Sequence, residues 1–65
     1  MIFRINTECG LEDIEAATAG AAKEIYERTH HYDFDGARAG EFPGSWYYIE
    51  DDCGAMIEDF TACMP

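Results

Sequence analysis

Valine is absent from this chain, and leucine occurs once, at Leu11. With six isoleucines and four phenylalanines, only 11 of 65 residues are Leu, Ile, Val or Phe. That share lies below the ~20 % level that, with high net charge, marks disordered chains. Any core must therefore come from aromatic rings and a few isoleucines. Aromatic residues make up 14 % of the chain, and each ring buries a large area. The apolar residues also recur at regular spacings, which disordered chains lack. Together these features predict a folded domain. At 65 residues there is room for one core, so a single compact domain over residues 1–65 is expected.

The spacings predict the elements. Residues 1–5, MIFRI, alternate, with Met1, Phe3 and Ile5 on one face, and read as a strand. Residues 11–28 read as an amphipathic helix with Leu11, Ile14, Thr18, Ala21, Ala22 and Ile25 in one arc. Glu12 and Asp13 fall in its first turn, where the helix dipole favours negative charge. Residues 30–35, HHYDFD, alternate again and read as a second strand. After a Gly- and Pro-punctuated loop, SWYYIE over 45–50 reads as a third strand, pairing with the second as a hairpin. Asp51 or Asp52 then caps a final helix whose apolar stripe is Cys53, Met56, Ile57, Phe60 and Met64, with Glu58 and Asp59 facing outward. The expected fold is α+β: a three-stranded, mainly antiparallel sheet with two flanking helices, in the order β-α-β-β-α.

Little in the chain points to chemistry. His30, His31, Asp33 and Asp35 are possible metal ligands. On a strand, however, His31, Asp33 and Asp35 share one face while His30 lies opposite, so they diverge, and a solvated polar face is the plainer reading. Ser45, the only serine, sits in a PGSW turn without the strand–turn–helix surround of a nucleophile elbow. Cys9, Cys53 and Cys63 make an odd number without a CxxC and read as reduced thiols, Cys53 and Cys63 being small apolar residues of the last helix. No phosphate-binding glycine loop is present. The chain is expected to be no enzyme and to need no cofactor.

Charge says more. Fourteen acidic side chains stand against four basic ones, for a formal net charge of -10. Arg4, Lys23, Arg28 and Arg38 are scattered, whereas phosphate recognition needs clustered cations, so direct nucleic-acid binding is not expected. No stretch approaches the roughly 20 apolar residues of a membrane span. The opening MIFRINTECG lacks a long apolar segment behind a basic start, so a cytoplasmic protein without a secretory signal is expected. Like charges repel, so a monomer is expected, and salt or mild acid should stabilise the fold. The carboxylates group along the predicted elements: Glu12 and Asp13 on the first helix, Asp33 and Asp35 about 6.7 Å apart on the second strand. Glu50, Asp51 and Asp52 form the densest cluster, with Glu58 and Asp59 beyond. Anions held in rows can occupy a basic groove built for DNA, pairing with its Lys and Arg. If the contact were apolar instead, exposed Trp46 or Tyr48 would carry it.

The whole chain resembles the small phage-encoded anti-CRISPR proteins, in particular acidic inhibitors of the type I-C class. The resemblance rests on its size, the opening MIFRI, the helix-like LEDIEAATAGAAKEIYERTH, the aromatic SWYYIEDD and the acidic balance. It implies a non-enzymatic inhibitor, carried by a phage or mobile element and acting in the bacterial host cell. Its partner would be a CRISPR surveillance complex, bound at the large Cascade subunit that reads the protospacer-adjacent motif. Mimicry of DNA there would block target recognition. Two further readings stand beside this one: an acidic partner of another basic protein (a restriction enzyme, a repressor or a toxin), and a small metal-binding protein using the HHYDFD segment.

Overall fold

The structure, a computed structural model, describes residues 1–61. Its elements are β1 (Ile2–Thr7), β2 (Gly10–Glu15), α1 (Ala19–His30), α2 (Phe34–Arg38), β3 (Trp46–Glu50) and β4 (Met56–Thr61). The strands form one four-stranded sheet in the order β2-β1-β3-β4, antiparallel throughout. The α+β class holds, with four strands in place of three and both helices between the second and third strands. None of the described helices is long and apolar enough to cross a membrane.

β1 forms where MIFRI alternates, with Phe3, Ile5 and Thr7 buried and Ile2 and Arg4 exposed. Residues 11–15 do not begin a helix. They pair with β1 from Ile2↔Glu15 to Thr7↔Gly10 across a two-residue turn. This hairpin satisfies one edge of β1 locally, and β2 turns Ile14 inward. The helix starts later, at Thr18, whose side chain accepts from the Ala21 N–H at 3.1 Å and serves as N-cap. Ala22 and Tyr26 are its buried positions.

Residues 30–35 are not a strand either, and they make no hairpin with β3. His31 takes a left-handed conformation and donates its N–H to the Glu27 carbonyl, closing α1. Asp33 then caps α2, its carboxylate accepting from the Gly36 N–H at 3.0 Å. Glu27 also accepts from the Phe34 N–H at 3.1 Å. Tyr32 and Phe34 are both buried. The expected alternation of these two rings survives in a turn and a helix start instead of a strand.

The final helix is replaced by β4, which pairs with β3. Asp51 caps no helix. Its Oδ1 accepts from the Cys53 and Ala55 N–H groups, each at 2.9 Å, and its own N–H donates to the Ala55 carbonyl. Gly54, at φ +81°, completes this turn. A bulge between Ile49 and Glu50 shifts the register of the pair. Cys63 and Met64, expected on the last helix, lie outside the described residues.

The core is the aromatic one that the composition demands. Phe34 meets Tyr32 at 4.8 Å and Tyr47 at 4.9 Å between ring centroids, both edge-on, and Tyr26 lies 5.8 Å away. Phe3, Ile5, Ile14 and Ile49 fill the space beneath. The Tyr26 hydroxyl donates to the Gly10 carbonyl and bonds Thr7 Oγ1 at 2.8 Å, so this buried ring leaves no polar atom unpaired. All these residues share the helix-covered side of the sheet. The opposite side carries no described element.

Candidate interaction surface

Strand alternation sends every second residue to the uncovered side. From β1 these are Ile2, Arg4 and Asn6; from β2, Leu11, Asp13 and Glu15. β3 contributes Trp46, Tyr48 and Glu50, and β4 contributes Ile57, Asp59 and Thr61. The register aligns them in rows. Leu11, Asn6, Tyr48 and Asp59 run across all four strands, and the Asn6 amide donates to the Tyr48 hydroxyl at 3.0 Å. Asp13, Arg4, Glu50 and Met56 form the next row. Arg4 grips Asp13 through two N–H···O contacts, at 2.9 and 3.3 Å. The Arg4 hydrogen bond holds the Asp13 carboxyl below the usual carboxylate range. Beside this row lies a shallow depression lined by Ile2, Arg4, Asp13, Glu50, Asp51 and Asp52.

The expected binding carboxylates divide into those that the fold displays and those that it uses. Asp13, Glu50 and Asp59 lie on the open sheet face, and Asp51 and Asp52 form the turn at its end. Asp52 is exposed at the tip of that turn. Of this displayed group, Asp13 is paired with Arg4 and Asp51 accepts two backbone N–H groups, and the remaining expected carboxylates are engaged away from the face. Glu12 lies on β2, not on a helix, and its Oε1 is 2.6 Å from His30 Nε2, whose ring stacks on Tyr26. Asp33 is the α2 cap, and Asp35 pairs with Arg38 at 2.9 Å. The anionic row expected of these two aspartates on a strand is absent. Glu58 does not face outward. It is half-buried on the helix side, 3.2 Å from Lys23 Nζ and 3.4 Å from Arg38 Nη1, and accepts from the Tyr47 hydroxyl. Partial burial raises the Glu58 carboxyl, but Tyr47, Lys23 and Arg38 outweigh it and hold the group below its ordinary value.

At the opposite end, the Tyr32 and Ser45 hydroxyls are buried without a partner at bonding geometry. Both adjoin the Glu8 carboxylate. Burial raises Glu8, but Ser45, Tyr32 and backbone N–H groups oppose it and draw the carboxyl down.

The sequence-predicted metal ligands do not converge. His30 turns to Glu12, His31 ends α1, Asp33 caps α2 and Asp35 meets Arg38. The described acidic and thiol groups that do approach one another are Asp51, Asp52 and Cys53, with ligand atoms within 4.8 Å. Asp51 there already accepts two backbone N–H groups. Contrary to the expected buried thiol, Cys53 is exposed in the turn, and Cys9 is exposed as well. The charges of Asp52 and Asp51 push the Cys53 thiol up, which disfavours the reactive thiolate.

Helical periodicity places Leu11 and Ile57 in apolar helix stripes, yet they are 52 % and 44 % exposed, on the open face. Trp46, at 36 %, and half-buried Tyr48 join them. Trp46 and Tyr48 are legible from their alternation against Tyr47 and Ile49. Comparison with family models, with curated proteins and with solved structures finds no match.

Proposed function

We propose that this chain is a non-enzymatic inhibitor that mimics DNA and occupies a basic groove of a CRISPR surveillance complex of type I-C. The contact in that complex is the large Cascade subunit that reads the protospacer-adjacent motif, and the setting is the cytoplasm of a bacterium. The observation that supports this reading is the gathering of Asp13, Glu50, Asp51, Asp52 and Asp59 on one face and its adjoining turn, in a chain of net charge -10. Lys and Arg that evolved to grip phosphates gain equivalent charge-assisted hydrogen bonds from carboxylates. Opposite net charges also steer the encounter. The test is competition: the purified complex is incubated with the protein and then with labelled target duplex. The expected result is loss of duplex binding as the protein is added, weakening as salt rises. Binding to the complex without displacement of the duplex would rule out mimicry and leave sequestration of a basic protein.

A further inference from the structure

The open sheet face combines an apolar, aromatic centre with an acidic rim, the anatomy of an interaction surface. Leu11, Trp46, Tyr48 and Ile57 present apolar and aromatic area there, and the exposed Leu11, Trp46 and Ile57 each leave more than a third of their surface to solvent. Around them stand Asp13, Glu50, Asp52 and Asp59, and the one guanidinium on the face, Arg4, is engaged by Asp13. An apolar patch alone would fit a second copy of the chain. This rim opposes that, because two copies packed face to face would bring the same carboxylates together. The mixture suits long cationic side chains, which carry an apolar stem beneath a charged head. Guanidinium groups also stack on Trp and Tyr rings.

We propose that this face is the contact surface, and that its occupant is an arginine- and lysine-rich protein surface. Stems pack on Leu11, Trp46, Tyr48 and Ile57 while the heads reach Asp52 and Asp59. The proposal rests on the reading of a basic partner given above and adds that contact is made by one face and depends on its apolar centre. The helix layer, which holds Lys23, Arg28 and Arg38, faces away.

Three paired variants test it, each first shown to be folded by circular dichroism. Asp52→Lys with Asp59→Lys changes the rim. Glu24→Lys with Glu41→Lys makes the same charge change at exposed positions of the helix layer, Glu24 on α1 and Glu41 beside α2, where its N–H donates to the Gly36 carbonyl. Leu11→Ser with Ile57→Ser removes apolar area without changing charge. Against the purified type I-C complex, the rim and apolar pairs should each weaken binding by roughly 30-fold or more, as hot-spot residues do. The Glu24/Glu41 pair should weaken it by less than about 3-fold. Equal losses from both charge pairs, or unchanged affinity in the apolar pair, would overturn the proposal. If the complex does not bind the unaltered protein, the CRISPR reading fails. The face is then judged by amide chemical shifts of the unaltered protein titrated with an alternating Lys–Leu peptide. Perturbations centred on Leu11, Tyr48 and Asp59 sustain the proposal, and perturbations centred on α1 or α2, or none, refute it.

Discussion

Glu58 lies on β4 between the Lys23 ammonium and the Arg38 guanidinium, and it accepts the proton of the buried Tyr47 ring's hydroxyl. It joins the edge strand to both helices. In Glu58→Lys a third cation meets the other two, and the Tyr47 hydroxyl loses its acceptor. In Glu58→Gln an acceptor remains and the charge is lost. The urea midpoint should therefore fall in the order unaltered, Gln, Lys. The Lys variant should lose about 2 kcal/mol, less than a fully buried pair because the site is partly open. A carboxylate devoted to partner binding would instead leave the midpoint unchanged when replaced. The pH dependence has a definite sign. Because the fold holds Glu58 below its ordinary value, the stability it supplies is complete above the ordinary carboxylate range of about pH 4–5. It is lost as pH falls through the lower folded value. The stability gap between the unaltered protein and Glu58→Gln should therefore narrow in acid, as urea titrations at successive pH values would read.

Among the elements, two glycines do different work, and alanine separates them. At Gly36 a Cβ would sit 2.7 Å from Asp33 Oδ2 and 3.0 Å from a Phe42 ring carbon, inside the cap that starts α2. Gly36→Ala should cost about 1–3 kcal/mol by breaking that cap and crowding the ring. At Gly54 nothing stands within 4 Å, but φ is +81°. Gly54→Ala should cost about 1 kcal/mol through backbone strain alone. Thermal melts of the two variants give the comparison, and a larger loss at Gly54 would contradict it. The same turns explain which elements the sequence discloses. β1 and β3 are legible because each alternates cleanly against a buried face. β2 is hidden because its inward position 12 is a glutamate satisfied by His30, which erases the period of two. β4 is hidden because the bulge puts exposed Met56 and Ile57 side by side, and with Phe60 they mimic a helical stripe. The strand expected at residues 30–35 fails because Tyr32 and Phe34 reach one core from a left-handed turn and the helix that follows it.

For the whole molecule, the net charge of -10 acts against the fold and in favour of the proposed contact. The charge itself is plain in the sequence. Its distribution is not, because Glu12 and Glu58 are drawn into pairs by residues of other elements, and Asp35 meets Arg38 within a short helix that the alternation of HHYDFD conceals. Only the register of the sheet shows that Asp13, Glu50 and Asp59 are displayed together. Carboxylates that remain unpaired repel one another through solvent, and salt screens that repulsion over a shrinking distance. Screening also weakens the exposed Arg4–Asp13 and Arg38–Asp35 pairs, but such pairs contribute little. Repulsion among the excess charges should dominate. Raising salt from roughly 0.05 M to 0.5 M should therefore raise the melting temperature by several degrees. Over the same range, affinity for a basic partner should fall, since the attraction that steers and holds it is screened. The two responses have opposite signs and come from one cause, so both are measured on the same samples. A melting temperature that falls with salt would mean that ion pairs outweigh repulsion in this fold. An affinity indifferent to salt would mean that the apolar centre of the sheet face carries the contact without its acidic rim.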